Sequence, residues 1–240
     1  MIGLLAAAGP VIPDFGGGGA NSCVRENKLF CWDWFNDNFD SVLKPALGQH
    51  IKLTLIAVAF GFVIATSLAI AAHYRRVVER PVTVVTGILY TIPSIALFQV
   101  LVPITGLKVL TAEIGLVSYT LLIIFRNTLA GLRGVAPEVR DAADGMGLTR
   151  WQRLWKVELP LALPAIIAGL RIAVVTVISL ATIAAYIIDE GLGSPILRAI
   201  GQNVFKTEII AAGVLIIILA LLSDALLAGV QRVLTPWARR

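Results

Sequence analysis

The sequence predicts an all-α, polytopic membrane protein with about five transmembrane helices, and three observations carry that expectation. Hydrophobic residues fill 58% of the 240 positions, charged residues only 15%, and the mean hydropathy is +0.86. Those values are odd for a soluble domain of this length and suit helices that face lipid. The apolar residues are also gathered into runs. Five of them, at residues 51–72, 82–104, 110–132, 165–188 and 209–230, are each near the roughly 20 residues that cross the hydrocarbon at 1.5 Å per residue. Finally, the longest charged stretch of the C-terminal two-thirds, residues 138–160, lies between two such runs. The net charge of +5 belongs with cytoplasmic loops and anionic headgroups, not with nucleic acid.

Taken in order, residues 1–13 are apolar but too short to span, are interrupted by Pro10 and Pro13, and lack a signal peptide's basic n-region. Residues 16–19 are four glycines, a flexible linker. Trp32, Phe35, Phe39, Val42 and Leu43 then recur at helical spacing against Asp33, Asn36, Asp37 and Asp40. That pattern predicts an amphipathic helix at the membrane surface, or alternatively a docking face for a delivering protein. Cys23 and Cys31 are the only cysteines; facing outward they can close a disulfide, facing inward they are two thiols. Residues 1–46 therefore form an extracytoplasmic or interfacial segment, 47–236 the transmembrane domain and 237–240 a short tail.

In the second run Gly87, Pro93 and Pro103 loosen the helix, which membranes tolerate where neighbours or a wet cavity satisfy the freed backbone. Tyr90, Pro93, Ser94 and Phe98 are its candidates for lining a pathway. The charged stretch after the third run reads as two short helices around a turn. Pro137 suits a first helical turn, with Glu138 and Asp141 near the positive end of the dipole. Gly145 and Gly147 supply the turn, and Thr149 with Gln152 forms a capping box for the second helix. Trp151, Leu154 and Trp155 share one face, expected to anchor the knob to its own membrane domain, and Leu159-Pro160 is expected to end the helix.

Orientation follows from Lys and Arg. With the amino terminus outside, twelve fall on one side, from Arg75 to Arg240, and seven on the other, with Arg171 inside a span. The richer side should be cytoplasmic, which puts the knob and the carboxyl terminus inside the cell and the cysteines outside. Arg171 and Asp224 lie about six residues from the cytoplasmic ends of the fourth and fifth runs. Both are then roughly 9 Å deep, so a structural ion pair is geometrically open to them, the alternative being an Arg171 that snorkels to the headgroups. At the outer end of the fourth run, Asp189 and Glu190 precede Gly191 and are placed either to steer a cation inward or to form a solvated turn.

Asp141-Ala142-Ala143, Gly147 six positions on, and Leu159-Pro160 together resemble the EAA loop of bacterial ABC importer permeases, with Asp141 where the family usually has Glu. The resemblance implies the type I importer permease fold and a cytoplasmic coupling helix, which inserts into a groove on a separate ABC ATPase. It also implies a second permease copy or a sister permease, and an extracytoplasmic substrate-binding protein. Thr91-Ile92-Pro93-Ser94 with Ala96-Leu97-Phe98, and residues 141–171, are similar to the glycine betaine/carnitine/choline branch, over residues 47–236 in all. For such a quaternary ammonium cargo the attractive groups are aromatic faces and diffuse negative potential.

The chain has no GxxxxGK[ST] loop, no His/Cys/carboxylate ligand cluster and no Ser/His/Asp grouping. The expectation is a bacterial inner-membrane transport subunit, not an enzyme, with no cofactor of its own and ATP held by its partner. Rival readings are a permease for amino acids or methionine, an ion-coupled secondary transporter, which usually has more spans and midplane charges, and a structural membrane subunit.

Overall fold

In a computed structural model the described residues are 22–202 and 204–239. The apolar run at residues 1–13 and the glycine linker lie outside them. All the regular elements among the described residues are helical. Short α1 (Ser22–Arg25) precedes α2 (Trp32–Asn38), which passes through a π-helical segment, Phe39–Leu43, into α3 (Lys44–Tyr74). There follow α4 (Arg76–Thr91), α5 (Ser94–Thr105) and α6 (Val109–Arg133). After α7 (Pro137–Gly145) and α8 (Arg150–Arg153), a second π-helical segment, Leu154–Glu158, leads into α9 (Leu159–Ala184). The chain closes with α10 (Gly193–Gly201), α11 (Lys206–Leu234) and a 3-10 turn, Pro236–Arg239.

Among the described residues, four continuous helices are long and apolar enough to cross a membrane: Trp32–Tyr74, Val109–Arg133, Arg150–Ala184 and Lys206–Leu234. The fifth expected span is not straight. Its two halves, α4 and α5, meet at an angle of 102°. Ile92, held before proline, is extended at φ −67° and ψ 130°, because the Pro93 ring excludes the α conformation from its neighbour. The Tyr119 hydroxyl on α6 donates to the Ile92 carbonyl, so a backbone group freed by the break has a partner inside the protein, as apolar surroundings demand.

The core is built around α6, which packs most extensively on α9 and α3. Lipid supplies no hydrophobic drive between helices, so close approach of small residues does the work. Ala57, Gly61, Ala65 and Ala69 repeat every four residues along α3, and all four are buried. A Cβ on Gly61 would stand 1.8 Å from the Thr120 hydroxyl of α6, and one on Gly115 of α6 2.4 Å from the Phe98 ring of α5. At both positions a neighbouring side chain fills the space that a Cβ would need.

The expected interfacial helix uses its apolar face differently. Leu43 is fully buried, Phe35 and Phe39 pack with it beside Ala211 and Ala212 of α11, and Trp34 stacks edge-on to Phe205 at 5.1 Å. Only Trp32 of the aromatic row is strongly exposed. The face meets the chain's own helices because helix Trp32–Tyr74 runs without a break past the outer end of α11.

Candidate functional site

The knob between α6 and α9 is built from local rules. Pro137 starts α7 and Glu138 sits in its first turn. The helix stops in a left-handed turn: Gly147 has φ 77°, its N–H donates to Asp144 O at 2.9 Å, and Leu148 N–H donates to Ala143 O at 3.2 Å. That pair of bonds is a Schellman motif, which glycine satisfies without strain. The capping box is complete, with Gln152 N–H to Thr149 Oγ1 at 3.3 Å and Thr149 N–H to Gln152 Oε1 at 2.9 Å. Asp141, Ala142 and Gly147 are exposed, while Ala143 is buried.

Two expectations about this stretch are corrected. Leu159-Pro160, both partly buried, do not end the helix, which continues from Arg150 to Ala184. Proline lacks the N–H for an interior turn and its ring collides with the carbonyl four residues back. Here Pro160 stands in the first turn after the π-helical segment, where Leu159 N–H reaches back five residues to Leu154 O. The widened turn leaves the ring room. Nor do the tryptophans anchor the knob as a set: Leu154 is buried among Leu132, Ala162 and Ile166, but Trp151 and Trp155 are each 64% exposed.

What holds the knob down is a charge cluster that sequence reasoning missed. Glu158 is fully buried, with His73 Nε2 at 3.1 Å, Arg153 Nε at 3.2 Å and Arg140 Nε at 3.6 Å. Arg153 also pairs with Asp144, Arg140 donates to Leu132 O at 2.7 Å, and Tyr74 Oη donates to Arg150 O at 3.1 Å. One buried carboxylate thus joins the end of α3, α7 and α8, and reaches α6 through Arg140. Arg153 and Glu158 are five residues apart, about 140° around an ordinary α-helix. The π-helical ring brings them face to face, and no periodicity rule would have paired them. A glutamate bordering an apolar run, with surplus arginines nearby, was the available signal.

Deeper in the same half, Arg171 Nε and Nη2 each donate to Asp224 at 2.8 Å, a bidentate pair between α9 and α11. Gln231 joins it, accepting from Arg171 Nη1 at 3.5 Å and donating to Pro164 O at 3.2 Å.

At the opposite end the loop after α9 is pinned by α3. Gln49 Oε1 accepts from Gly191 N–H at 3.0 Å and His50 Nδ1 from Leu192 N–H at 3.2 Å. With Nδ1 accepting, His50 carries its proton on Nε2 and donates to Ile178 O at 3.0 Å. Asp189 and Glu190 border a cleft with Lys108 and Val109, Asp189 exposed and Glu190 half-buried. Of the other pathway candidates, Tyr90 is half-exposed and meets Tyr119 edge-on at 5.9 Å, Pro93 is exposed and Ser94 half-buried. Phe98 is fully buried in the α3–α6–α9 core. Cys23 and Cys31 are bonded to each other. The loop they close docks on the start of α11, where Asn27 takes the Lys206 N–H and donates to Val204 O, both at 3.0 Å. Among the described residues no group of three or more His, Cys, Asp or Glu is placed to hold a metal.

A bent second span, a small-residue core and a capped helical knob between the third and fourth spans define one class of protein. Residues 57–240 match the family described as "Binding-protein-dependent transport system inner membrane component", and the chain belongs to that family: it is a multi-pass inner-membrane transport subunit. Among its relatives, the glycine betaine/carnitine/choline transport system permease protein OpuCB of Bacillus subtilis is 35% identical over 190 residues, 79% of this chain and 87% of that one. The osmoprotectant import permease protein OsmW of Salmonella typhimurium is 39% identical over 193 residues, 78% and 89% of the two chains. Among solved structures, an inward-facing form of the MetNI methionine ABC transporter superposes with a TM-score of 0.73 over 83% of this chain and 99% of that one, at 22% identity. That likeness gives the fold, the type I importer permease fold expected from the coupling loop.

Proposed function

We propose that this chain is the permease subunit of an ATP-driven importer for quaternary ammonium osmoprotectants of the glycine betaine, carnitine and choline type. The observation that carries the mechanism is the exposed knob bolted through buried Glu158 to α3 and α6. A helical knob that is free on its outer face and tied by charge to the bundle is built to pass on a push. Asp141, Ala142 and Gly147 form the outer face, with Met146 beside them 73% exposed. The alanine and the left-handed glycine let a partner's backbone approach closely, and the Asp141 charge orients it.

The partner is a cytoplasmic ABC ATPase. Two permeases, identical or sister subunits, enclose the pathway, and an extracytoplasmic binding protein delivers the cargo to the side carrying the disulfide, Asp189 and Glu190. ATP-driven closure presses the knobs together. Each knob carries α3 and α6 through Glu158, and α9 through its own continuous helix, so that the bundle opens alternately to either side. The amino terminus is then outside and the carboxyl terminus cytoplasmic. The named substrates of relatives 33–39% identical support the cargo class.

The test is uptake of labelled choline, carnitine and glycine betaine by cells lacking their own osmoprotectant carriers. The chain is expressed there with its cognate ATPase and binding protein. Uptake that is absent without the ATPase, and competition among the three compounds, are expected. Uptake of none of them overturns the cargo, and failure of the chain to co-purify with the ATPase overturns the importer.

A further inference from the structure

We propose that the cleft between the end of α3 and the start of α8 is a binding site for an anionic phospholipid, its headgroup phosphate held between Arg75 and Arg150. The cleft has a volume of about 560 Å³ and is lined by Tyr74, Arg75, Arg150 and Trp151, with Ile70 and Ala71 along one wall. That is within the range of roughly 300–1,000 Å³ found for ligand sites.

The charges in this cleft are unanswered. Arg133, Arg140, Arg153, Arg171 and Arg198 each have a carboxylate within 3.6 Å. Arg76 and Arg80 lie beside Glu79. Among the described residues no carboxylate lies within ion-pair distance of Arg75 or Arg150, although both open into one cleft. Two guanidinium forks without an acid partner match a phosphate group, which each can grip through two N–H donors.

The rest of the lining chooses among phosphates. Trp151 and Tyr74, with ring centroids 6.3 Å apart, are the amphipathic aromatics that settle at headgroup depth. Below them Ile70 and Ala71 form an apolar wall on a helix that itself crosses the membrane, where an acyl chain would lie. Free phosphate has no use for that wall. A zwitterionic headgroup sets its own ammonium against the arginines. A lipid with net negative charge, such as phosphatidylglycerol, satisfies both parts, and basic pockets between spanning helices are where such headgroups bind. The lipid would bridge α3 and α8 across the Tyr74–Arg150 hydrogen bond, adding a second clamp on the knob. This site stands whatever the transported cargo is.

The test is native mass spectrometry of the full-length protein in mild detergent with phosphatidylglycerol or phosphatidylcholine of matched acyl chains. Wild type should retain phosphatidylglycerol about tenfold better, a difference of about 1.4 kcal/mol. Arg75→Gln with Arg150→Gln should abolish that preference, whereas Arg76→Gln with Arg80→Gln should leave it within about twofold. Equal retention of the two lipids by wild type, or an unchanged preference in the Arg75/Arg150 variant, overturns the site. Displacement of the lipid by an equal concentration of inorganic phosphate shows a free-anion site and overturns the lipid. If the double variant cannot be purified, photoactivatable phosphatidylglycerol on wild type decides: adducts at Tyr74 or Trp151 sustain the site, and adducts confined elsewhere overturn it.

Discussion

Glu158 is a single carboxylate on which three elements depend. Three basic side chains from different elements converge on its two oxygens, at 3.1, 3.2 and 3.6 Å. Glu158→Gln keeps the shape and removes the charge, leaving Arg140 without a carboxylate and Arg153 with Asp144 alone, and breaking a buried ion pair in this way costs about 3 kcal/mol or more. A clear fall in thermal midpoint is expected in detergent, together with loss of ATP-driven uptake; unchanged melting would show that the cluster bears no load. The Arg171–Asp224 pair offers the complementary test. Arg171→Ala leaves Asp224 charged and unpaired within an apolar helix and should reduce the folded yield, and Asp224→Asn in the same chain should restore it, because the pair as a whole carries no net charge. Additive losses in the double variant would mean that each residue acts alone. His50 escaped sequence reasoning because a lone histidine at the edge of a span has no distinguishing pattern. Its role comes from Leu192 and Ile178, more than a hundred positions away.

Helices in this chain are long where composition said they would be and differ where backbone geometry intervenes. Two prolines at apparently similar boundaries have opposite outcomes. Pro93 breaks its helix, since Ile92 must leave the α region and Tyr119 stands ready to take the freed carbonyl. Pro160 is carried through, since the π-helical turn before it makes room. Which outcome a proline has depends on neighbours in space, and the sequence around each shows only that a proline is present. The α3–α6 seam gives a prediction at this scale. Gly61→Val forces the helices apart, its Cβ starting 1.8 Å from Thr120 Oγ1. Overpacking of that kind costs about 1–3 kcal/mol or more, so a large loss of folded protein by size-exclusion profile is expected. Gly87→Ala, with nothing within 4 Å of the added methyl, should be neutral or stabilising by up to about 1 kcal/mol from helix propensity. Equal behaviour of the two variants would show that the seam is not packed as described.

For the whole molecule, the two ends are built differently. One end carries the Glu158 cluster, the Arg171–Asp224 pair and most of the arginines; the other carries the disulfide, the pinned loop and the cleft bordered by Asp189 and Glu190. If that cleft opens on the proposed pathway, its two acids concentrate cations before they bind, an effect that is lost in high salt and swamped at saturating substrate. Asp189→Asn with Glu190→Gln should therefore lower uptake severalfold at low substrate concentration and low ionic strength, and leave the maximal rate nearly unchanged. Uptake unaffected at every concentration would mean that the two acids merely solvate the turn.

The helical class, the number and placement of the apolar runs, the capped knob with its Gly147 turn, and the resemblance to importer permeases were all legible in the order of residues. Each of these rests on short-range order: hydropathy over about twenty residues, or caps and turns over three to six. It took the packed fold to show that the second run bends by 102° and that the helix carries through Pro160. The same holds for the turning of the tryptophans outward and the burial of Phe98. It also brought Glu158 against His73, 85 residues away. The physical reason is common to all of them. Whether a proline breaks a helix, an aromatic ring is covered or a buried charge finds its counter-charge depends on which helix lies alongside, and that is set by packing small residues across the bundle.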